Sequence, residues 1–276
     1  MTSVKADLHL HTNFSDGKLS PQQLIDLSKK NGVSIISITD HDNVSAVTEA
    51  LDYGNETGVQ VIPGVEISAD LDDLEIHILA YFIDHTNQKF LDFLSYSRQL
   101  RRERNVKIVE KLNMLGSKIN INSIMDKAGA NTSIGRPHIA IELNEEGFVS
   151  SYYDAFIKYI GDGKPAYVKK VNPKAKDTIK MISEMGGLSF VAHPGKTIRD
   201  GLLHNLIEEG IDGIEIIHPS HSKDDTEYFS GVASEKFLLT SGGSDFHGGL
   251  KNDGKNFGKY FVSAIEVMNM KRRLFQ

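Results

Sequence analysis

Asp7-Leu8-His9-Leu10-His11-Thr12, followed by Ser15-Asp16-Gly17, is the stretch on which the reading of this chain turns. Val4–Leu10 is a short apolar run of strand character that ends in His-x-His. Residues two apart on a strand face the same side, so both imidazoles can grip one ion. Asp16 follows in the next loop. The pattern recurs downstream: a second apolar run ends in Thr39-Asp40-His41-Asp42, and a third ends in Gly64-Val65-Glu66, a carboxylate placed to bridge two ions. Ala192-His193-Pro194-Gly195, His218 and Ser244-Asp245-Phe246-His247 close three more. His77 is the exception, since it stands near the start of its run. That position fits a hairpin return from the Glu66 strand.

Working outward, the candidate strands are Val4–Leu10, Ser34–Thr39, Val59–Ile67, Ile76–Phe82, Leu188–Ala192, Gly213–Ile217 and Leu238–Gly242, with another around Tyr260–Ser263. Helical patterns separate most of them, which predicts an α/β barrel or doubly wound sheet. Ser20-Pro21-Gln22-Gln23 has the pieces of a capping box with proline at N1. Asn172-Pro173 is expected to open a later helix that Gly186-Gly187 closes. Between Phe82 and Leu188 lie roughly 105 residues, far more than a crossover helix requires. Within them Lys89–Leu115 reads as a long amphipathic helix ending at Gly116. The expected organisation is a barrel of residues 1–94 and 166–276 carrying a helical insertion at 95–165.

In parallel α/β barrels the chemistry sits at the C-terminal strand ends and the loops that follow. A lone histidine there is usually structural. So many imidazoles and carboxylates gathered at successive strand ends would be costly to bury without a cation. The absence of cysteine excludes disulfides, thiolate metal sites and cysteine nucleophiles. A net charge of −6 provides no field for long nucleic acid, whereas a small anion captured by metals stays compatible. No apolar run approaches the ~18 residues of a membrane span, and the N-terminus lacks a signal-peptide core. The expectation is a soluble, cytoplasmic protein with no membrane partner.

These motifs, in this order and over essentially the whole chain, resemble the polymerase and histidinol phosphatase (PHP) superfamily. The resemblance implies a distorted seven-stranded (β/α) barrel holding two or three divalent ions. It implies one ion on His9, His11, Glu66 and Asp245, a second on Glu66, His77 and His193, and a third on Asp16, His41 and His247. Some relatives have histidine where this chain has Asp16, a change toward harder metals. Manganese, iron and zinc all suit such ligands. Gly135-Arg136-Pro137-His138 in the insert, and Glu215-Ile216-Ile217-His218-Pro219-Ser220-His221 after the sixth strand, match the branch of 3′,5′-nucleoside bisphosphate phosphatases and 5′–3′ exoribonucleases.

That likeness implies hydrolysis of phosphate esters of small nucleotides or of the 5′ ends of short RNA. Phosphoester hydrolysis needs a nucleophile, charge neutralisation and help for the leaving oxygen, and divalent ions supply the first two. Glu66, His193, His218 and Asp245 are the catalytic candidates; Arg136, His138 and His218 are candidates for substrate contact or proton donation. Asp40 and Asp42 are placed to orient an imidazole, or are turn residues. His221 is evenly balanced between site and structure, while His85 and His204 read as surface residues. Arg98, Arg101, Arg102, Arg104 and Lys107 read first as a solvated helix face and second as a phosphate-steering track. The rivals are phosphatase action on a non-nucleotide such as histidinol phosphate, an amidohydrolase with a bridging carbamylated lysine on a middle strand, and a non-catalytic PHP domain. Intact ligands, and a chain that reads as complete without a polymerase, weigh against the last.

Overall fold

A computed structural model describes residues 4–275. Its eight strands are β1 (Lys5–Leu10), β2 (Val33–Ile38), β3 (Gln60–Leu71), β4 (Leu74–Tyr81), β5 (Leu188–Val191), β6 (Gly213–Ile217), β7 (Leu239–Gly242) and β8 (Val262–Ser263). The helices are α1 (Pro21–Lys30), α2 (Val47–Thr57), α3 (Gln88–Met114), α4 (Ile121–Ala128), α5 (Arg136–Glu145), α6 (Tyr152–Ala155), α7 (Ala175–Glu184), α8 (Asp200–Glu208), α9 (Lys223–Glu235) and α10 (Ala264–Leu274). A π-helical turn, Phe156–Ile160, continues α6.

The strands form one mixed sheet in the order β7-β6-β5-β4-β3-β2-β1-β8. It curls until β1 nearly closes it: Leu10 bridges Phe246 in parallel, and the His11 N–H donates to the Phe246 carbonyl at 3.1 Å. The expected seven-stranded barrel is therefore corrected to a nearly closed eight-stranded one. The eighth strand is the short β8, which runs antiparallel beside the start of β1. Gly243 makes the closure possible, because a Cβ there would lie 2.5 Å from the His9 backbone nitrogen.

Two antiparallel pairings interrupt the parallel order, β3 with β4 and β4 with β5. β3 runs four residues past its expected end. Its continuation pairs with β4 through a two-residue turn, where Asp72 (φ +47°) and Asp73 (φ +68°) adopt the left-handed conformations that tight hairpins use. Because β4 returns along β3, its beginning lies at the same end of the barrel as the other strands' C-termini. That is why His77 reaches the site from the start of its strand.

Helix boundaries follow local chemistry. Ser20 caps α1 through the Gln23 N–H while the Gln23 side chain accepts from the Ser20 N–H. The start of α7 differs from expectation: Lys174 is its N-cap, and Asn172 instead donates to Asp70 on β3 at 2.8 Å. Outside the sheet, α1 and α2 bury Leu24, Ile25 and Ala50 against Leu10, Ile36 and Ile38. Helices α7, α8 and α9 cover Val65, Ile67, Ile78, Val191 and Ile214. A separate apolar core, with Ile108, Leu112, Ile139, Leu143 and Ala155, holds the segment around α4–α6 together. Helix α3 joins both, since Phe90 and Leu94 lie in the barrel's core and Ile108 and Leu112 in the other.

Candidate metal centre

Strand alternation turns Glu66 and His77 to the same face of the hairpin, two register steps apart. Glu66 is buried and becomes the hub. Its Oε1 lies 2.8 Å from His77 Nδ1 and 2.9 Å from His193 Nε2. Its Oε2 lies 3.0 Å from His41 Nδ1, 3.3 Å from His11 Nε2 and 3.4 Å from His9 Nε2. Asp245 Oδ1 sits 3.1 Å from His11 Nε2 and 3.4 Å from His9 Nε2. Asp16 Oδ1 faces His247 Nε2 at 3.2 Å and His41 Nε2 at 3.7 Å. All nine expected ligands thus converge at one end of the barrel. Asp42 (φ +53°), His193 (φ +29°) and Asp245 (φ +49°) adopt left-handed backbone conformations there, as strained non-glycine residues at functional sites do.

The test of whether these residues fit metal lies in their unpaired atoms. His9 Nε2, His11 Nε2, His41 Nδ1, His77 Nδ1, Asp16 Oδ1 and Glu66 Oε2 are buried without a hydrogen-bond partner. Buried polar atoms are seldom left so, and here they point at one another. Groups of donors within 4.8 Å include His11, Asp16, His41 and His247; His9, Glu66 and His193; His41, Glu66 and His77; and His9, His11 and Asp245. Such clusters are capable of holding divalent ions.

The far side of several rings fixes which nitrogen offers its lone pair. His9 Nδ1–H donates to Glu215 Oε1 at 2.9 Å, and His247 Nδ1–H donates to the Asp245 carbonyl at 2.7 Å. His11 Nδ1 faces the Ser15 hydroxyl at 3.4 Å, and that hydroxyl donates to Asp40. In all three the Nε2 lone pair is left turned inward, the arrangement usual for metal-binding histidines. Burial pushes His41 down to about 3, so its ring is neutral. Burial also opposes charge on His11 and His77, but adjacent carboxylates outweigh it and raise both to about 9. A proton held there is one that an ion displaces.

His218 stands beside the cluster with a different tautomer. Its Nδ1 accepts the Ser220 N–H at 3.1 Å, which leaves its N–H on Nε2, 3.4 Å from Asp245 Oδ2. Both nitrogens of His221 are committed to the backbone, Nδ1–H to Ile216 and Nε2 accepting from Gly195. His85 and His204 lie away from the site, against Thr48 and Glu208.

A cavity of about 390 Å³ opens beside the cluster, lined by Arg101, Arg104, Arg136, Lys170, Lys251 and the aromatic residues Tyr152, Tyr153 and Phe156 among others. Arg136 reaches it while pairing with Asp162 at 2.6 Å. His138 does not line it: its Nδ1 accepts the Gly135 N–H at 3.1 Å, and it borders a neighbouring cavity with Ser15 and Asp16. A larger groove of about 940 Å³, between α3 and α4, contains none of the clustered histidines.

The basic run on α3 is not one solvated face. Arg102 and Lys107 are exposed, whereas Arg101 and Arg104 are buried and turned toward the site. Arg101 donates twice to Asp42 (2.7 and 3.1 Å), and Arg104 donates to the Val168 carbonyl, leaving its Nη2 without a partner. Neither Asp40 nor Asp42 touches an imidazole directly: Asp40 holds Thr12 and Ser15, and Asp42 holds Arg101 and Ser68.

Sequence reasoning missed Glu215, Lys170, Lys251 and Tyr152. Glu215 had a signal, being the one charge inside the run Gly213–Ile217; it accepts from both His9 and the His193 N–H. The others gave none, because their place depends on how loops and the insert fold over the barrel. No lysine occurs in β2–β7, so the bridging lysine of an amidohydrolase reading has no candidate there.

Comparison with known proteins agrees with this geometry. The PHP domain pattern matches residues 7–188. A 5′-3′ exoribonuclease of Haemophilus influenzae is 36% identical, covering 88% of this chain and 90% of its own. A 3′,5′-nucleoside bisphosphate phosphatase of Chromobacterium violaceum is 31% identical, covering 87% and 86%. The crystal structure of a protein of Bifidobacterium adolescentis, described as a candidate metal-dependent phosphoesterase, superposes with a TM-score of 0.90 at 30% identity, covering 97% of this chain and 96% of that one. A donor set built around one buried glutamate, on a barrel shared over nearly its whole length, places this chain in the PHP family as a metal-dependent phosphoesterase.

Proposed function

We propose that this phosphoesterase acts on small nucleotides, hydrolysing a phosphate ester of a 3′,5′-nucleoside bisphosphate or the 5′ end of a short RNA. The observation that carries the reading is the basic, aromatic-lined cavity beside Glu66. Arginine and lysine there suit phosphate, and Tyr152, Tyr153 and Phe156 offer faces on which a base can stack. Histidinol phosphate or a sugar phosphate would use the cations and leave most of that aromatic wall idle. The relatives that act on nucleotides and RNA ends support the same choice.

In this reading His9, His11, Glu66 and Asp245 hold one ion, Glu66, His77 and His193 a second, and Asp16, His41 and His247 a third, with His11 near enough to share. Manganese, iron and zinc are the candidate ions. Bound there, they supply positive charge for the phosphoryl oxygens and lower the pKa of the attacking water. The chain's own residues do the rest. Arg104, with its unpaired Nη2, and Arg136 orient the phosphate through planar donors. His218 carries its Nε2–H into the site and is placed to donate a hydrogen bond to a phosphoryl or leaving oxygen. Glu215 keeps His9 in the tautomer that offers Nε2, and His138 shapes the loop of Ser15 and Asp16. The insert, residues 95–165, forms the roof of the site, while residues 1–94 and 166–276 form its floor; the separate core around α4–α6 supports that division.

The test is product release with manganese from adenosine 3′,5′-bisphosphate, a 5′-phosphorylated RNA trimer and histidinol phosphate, with Glu66→Gln as control. Turnover of either nucleotide substrate, lost in the variant, is the expected result. Turnover of histidinol phosphate alone would overturn the substrate assignment and leave the hydrolytic site standing.

A further inference from the structure

Lys251 is the only cation that reaches directly into the donor cluster among the described residues. Its Nζ lies 2.7 Å from His247 Nε2 and 3.1 Å from Asp16 Oδ2. Those two residues, with His11 and His41, make up the third group of donors. His247 Nδ1–H is committed to the Asp245 carbonyl, so the ring has one lone pair left, on Nε2. That lone pair either accepts a hydrogen bond from the ammonium or ligates an ion; it cannot do both. A divalent ion and an ammonium sharing Asp16 would also repel each other strongly at such close range.

We propose that Lys251 acts as a built-in cation at the Asp16–His247 position, displaced into the phosphate cavity when an ion enters. The inference rests on reading that group as a metal position and goes beyond it by coupling metal loading to the charge of the substrate pocket. The chain permits the movement. Lys251 follows Gly248 (φ +79°) and Gly249 (φ +89°), two residues whose left-handed conformations other side chains adopt with strain. A Cβ on Gly248 would also meet Lys18 at 2.7 Å, so the first glycine is sterically required. The Lys251 side chain is one-third exposed and already borders the cavity that holds Arg104, Arg136 and Tyr152. Two contacts have to break, with His247 Nε2 and with Asp16 Oδ2. Asp16 Oδ1 has no hydrogen-bond partner and is free for the ion. Before an ion enters, the ammonium neutralises the Asp16 carboxylate, and once the ion is in place the pocket gains a positive charge for phosphate.

The test measures binding and uses no substrate. Manganese content is followed by equilibrium dialysis against graded free manganese for the unaltered chain, Lys251→Met and Asp16→Asn. In parallel, acylation of Lys251 in the unaltered chain is read by mass spectrometry at each manganese level. The weakest-bound ion is expected to fill at roughly tenfold lower free manganese in Lys251→Met, the scale of losing one charge-assisted hydrogen bond. Lys251 acylation is expected to rise as that ion binds. Equal midpoints in the two proteins, or acylation that does not follow the ion, would overturn the displacement. An ion count unaffected by Asp16→Asn would overturn the metal position itself, and the displacement with it.

Discussion

Replacing Glu215 by glutamine keeps the shape of the side chain, removes one charge and turns one acceptor into a donor. Glu215 is fully buried on β6, and both of its oxygens are used: Oε1 by His9 Nδ1–H at 2.9 Å, Oε2 by the His193 N–H at 2.6 Å. Glutamine has one acceptor for these two donors. If its oxygen faces the His193 N–H, its NH₂ meets His9 Nδ1. The ring then moves its proton to Nε2 and loses the lone pair that points at Glu66 and Asp245. Outer partners of ligating histidines are typically worth ~10–100-fold in metal affinity. If the oxygen faces His9 instead, a buried backbone N–H is left unpaired, at about 1–3 kcal/mol. For a chain of this size that is a fall in Tm of roughly 2–10 °C. One of the two losses is unavoidable. Thermal unfolding of the metal-free protein and manganese titration of the variant would separate them. Manganese affinity within about twofold of the unaltered chain, together with an unchanged Tm, would refute the assignment of Glu215 as the residue that fixes His9.

Arg101→Met leaves Asp42 as a buried charge without its arginine, and about 3–5 kcal/mol of stability should be lost in chemical denaturation; a loss under 1 kcal/mol would show that the pair is dispensable. Lys170, buried beside Glu75 and Ser68, has its pKa lowered from 10.5 to about 8 by burial and then by the Arg101 charge. The unfolded chain therefore binds more protons between about pH 8 and 10.5, and stability from this group rises with pH across that window, by at most ~1.4 kcal/mol per pH unit. Lys170→Met should flatten that rise in denaturant melts, and an identical pH profile would argue against it. Tyr152→Ala should raise KM for a nucleoside bisphosphate by roughly 5–100-fold, the range of one base stack, while barely changing that for a phosphate ester without a base. Equal effects on both substrates would remove the stacking role.

The parts of the site legible in the sequence were those set by strand period and strand ends. His9 and His11 share a face because two residues separate them, and Glu66, His193 and Asp245 each close an apolar run. The capping box at Ser20 was legible for the same reason, since both of its partners lie within four residues. The count of strands was less secure, because β8 is only two residues long and exists by leaning on the start of β1. Lys251 and Tyr152 owe their places to loops and to the insert, where no short-range pattern decides which way a side chain turns. The arginines of α3 misled in a definite way. Their spacing fits an exposed face, yet Arg101 is pulled inward by Asp42, a residue 59 positions earlier.

That inward pull explains why the β3–β4 hairpin matters beyond carrying Glu66 and His77. Ser68 on β3 accepts from Arg101 of α3 at 3.0 Å and from Lys170 at 2.6 Å. Lys170 in turn holds Glu75 at 2.8 Å, and Glu75 lies 3.6 Å from His77 Nε2. A continuous polar chain therefore runs from the long helix, through the hairpin, to a histidine of the cluster. Had β4 run parallel to β3, His77 and Glu75 would sit at the opposite end of the barrel, and the long helix would have no polar path to the donors. Reversing one strand thus brings His77 to the end where the donors gather and fastens α3 to it. Because every link is buried or half-buried, loss of a middle member should be felt at both ends, in the seating of α3 and in the orientation of His77.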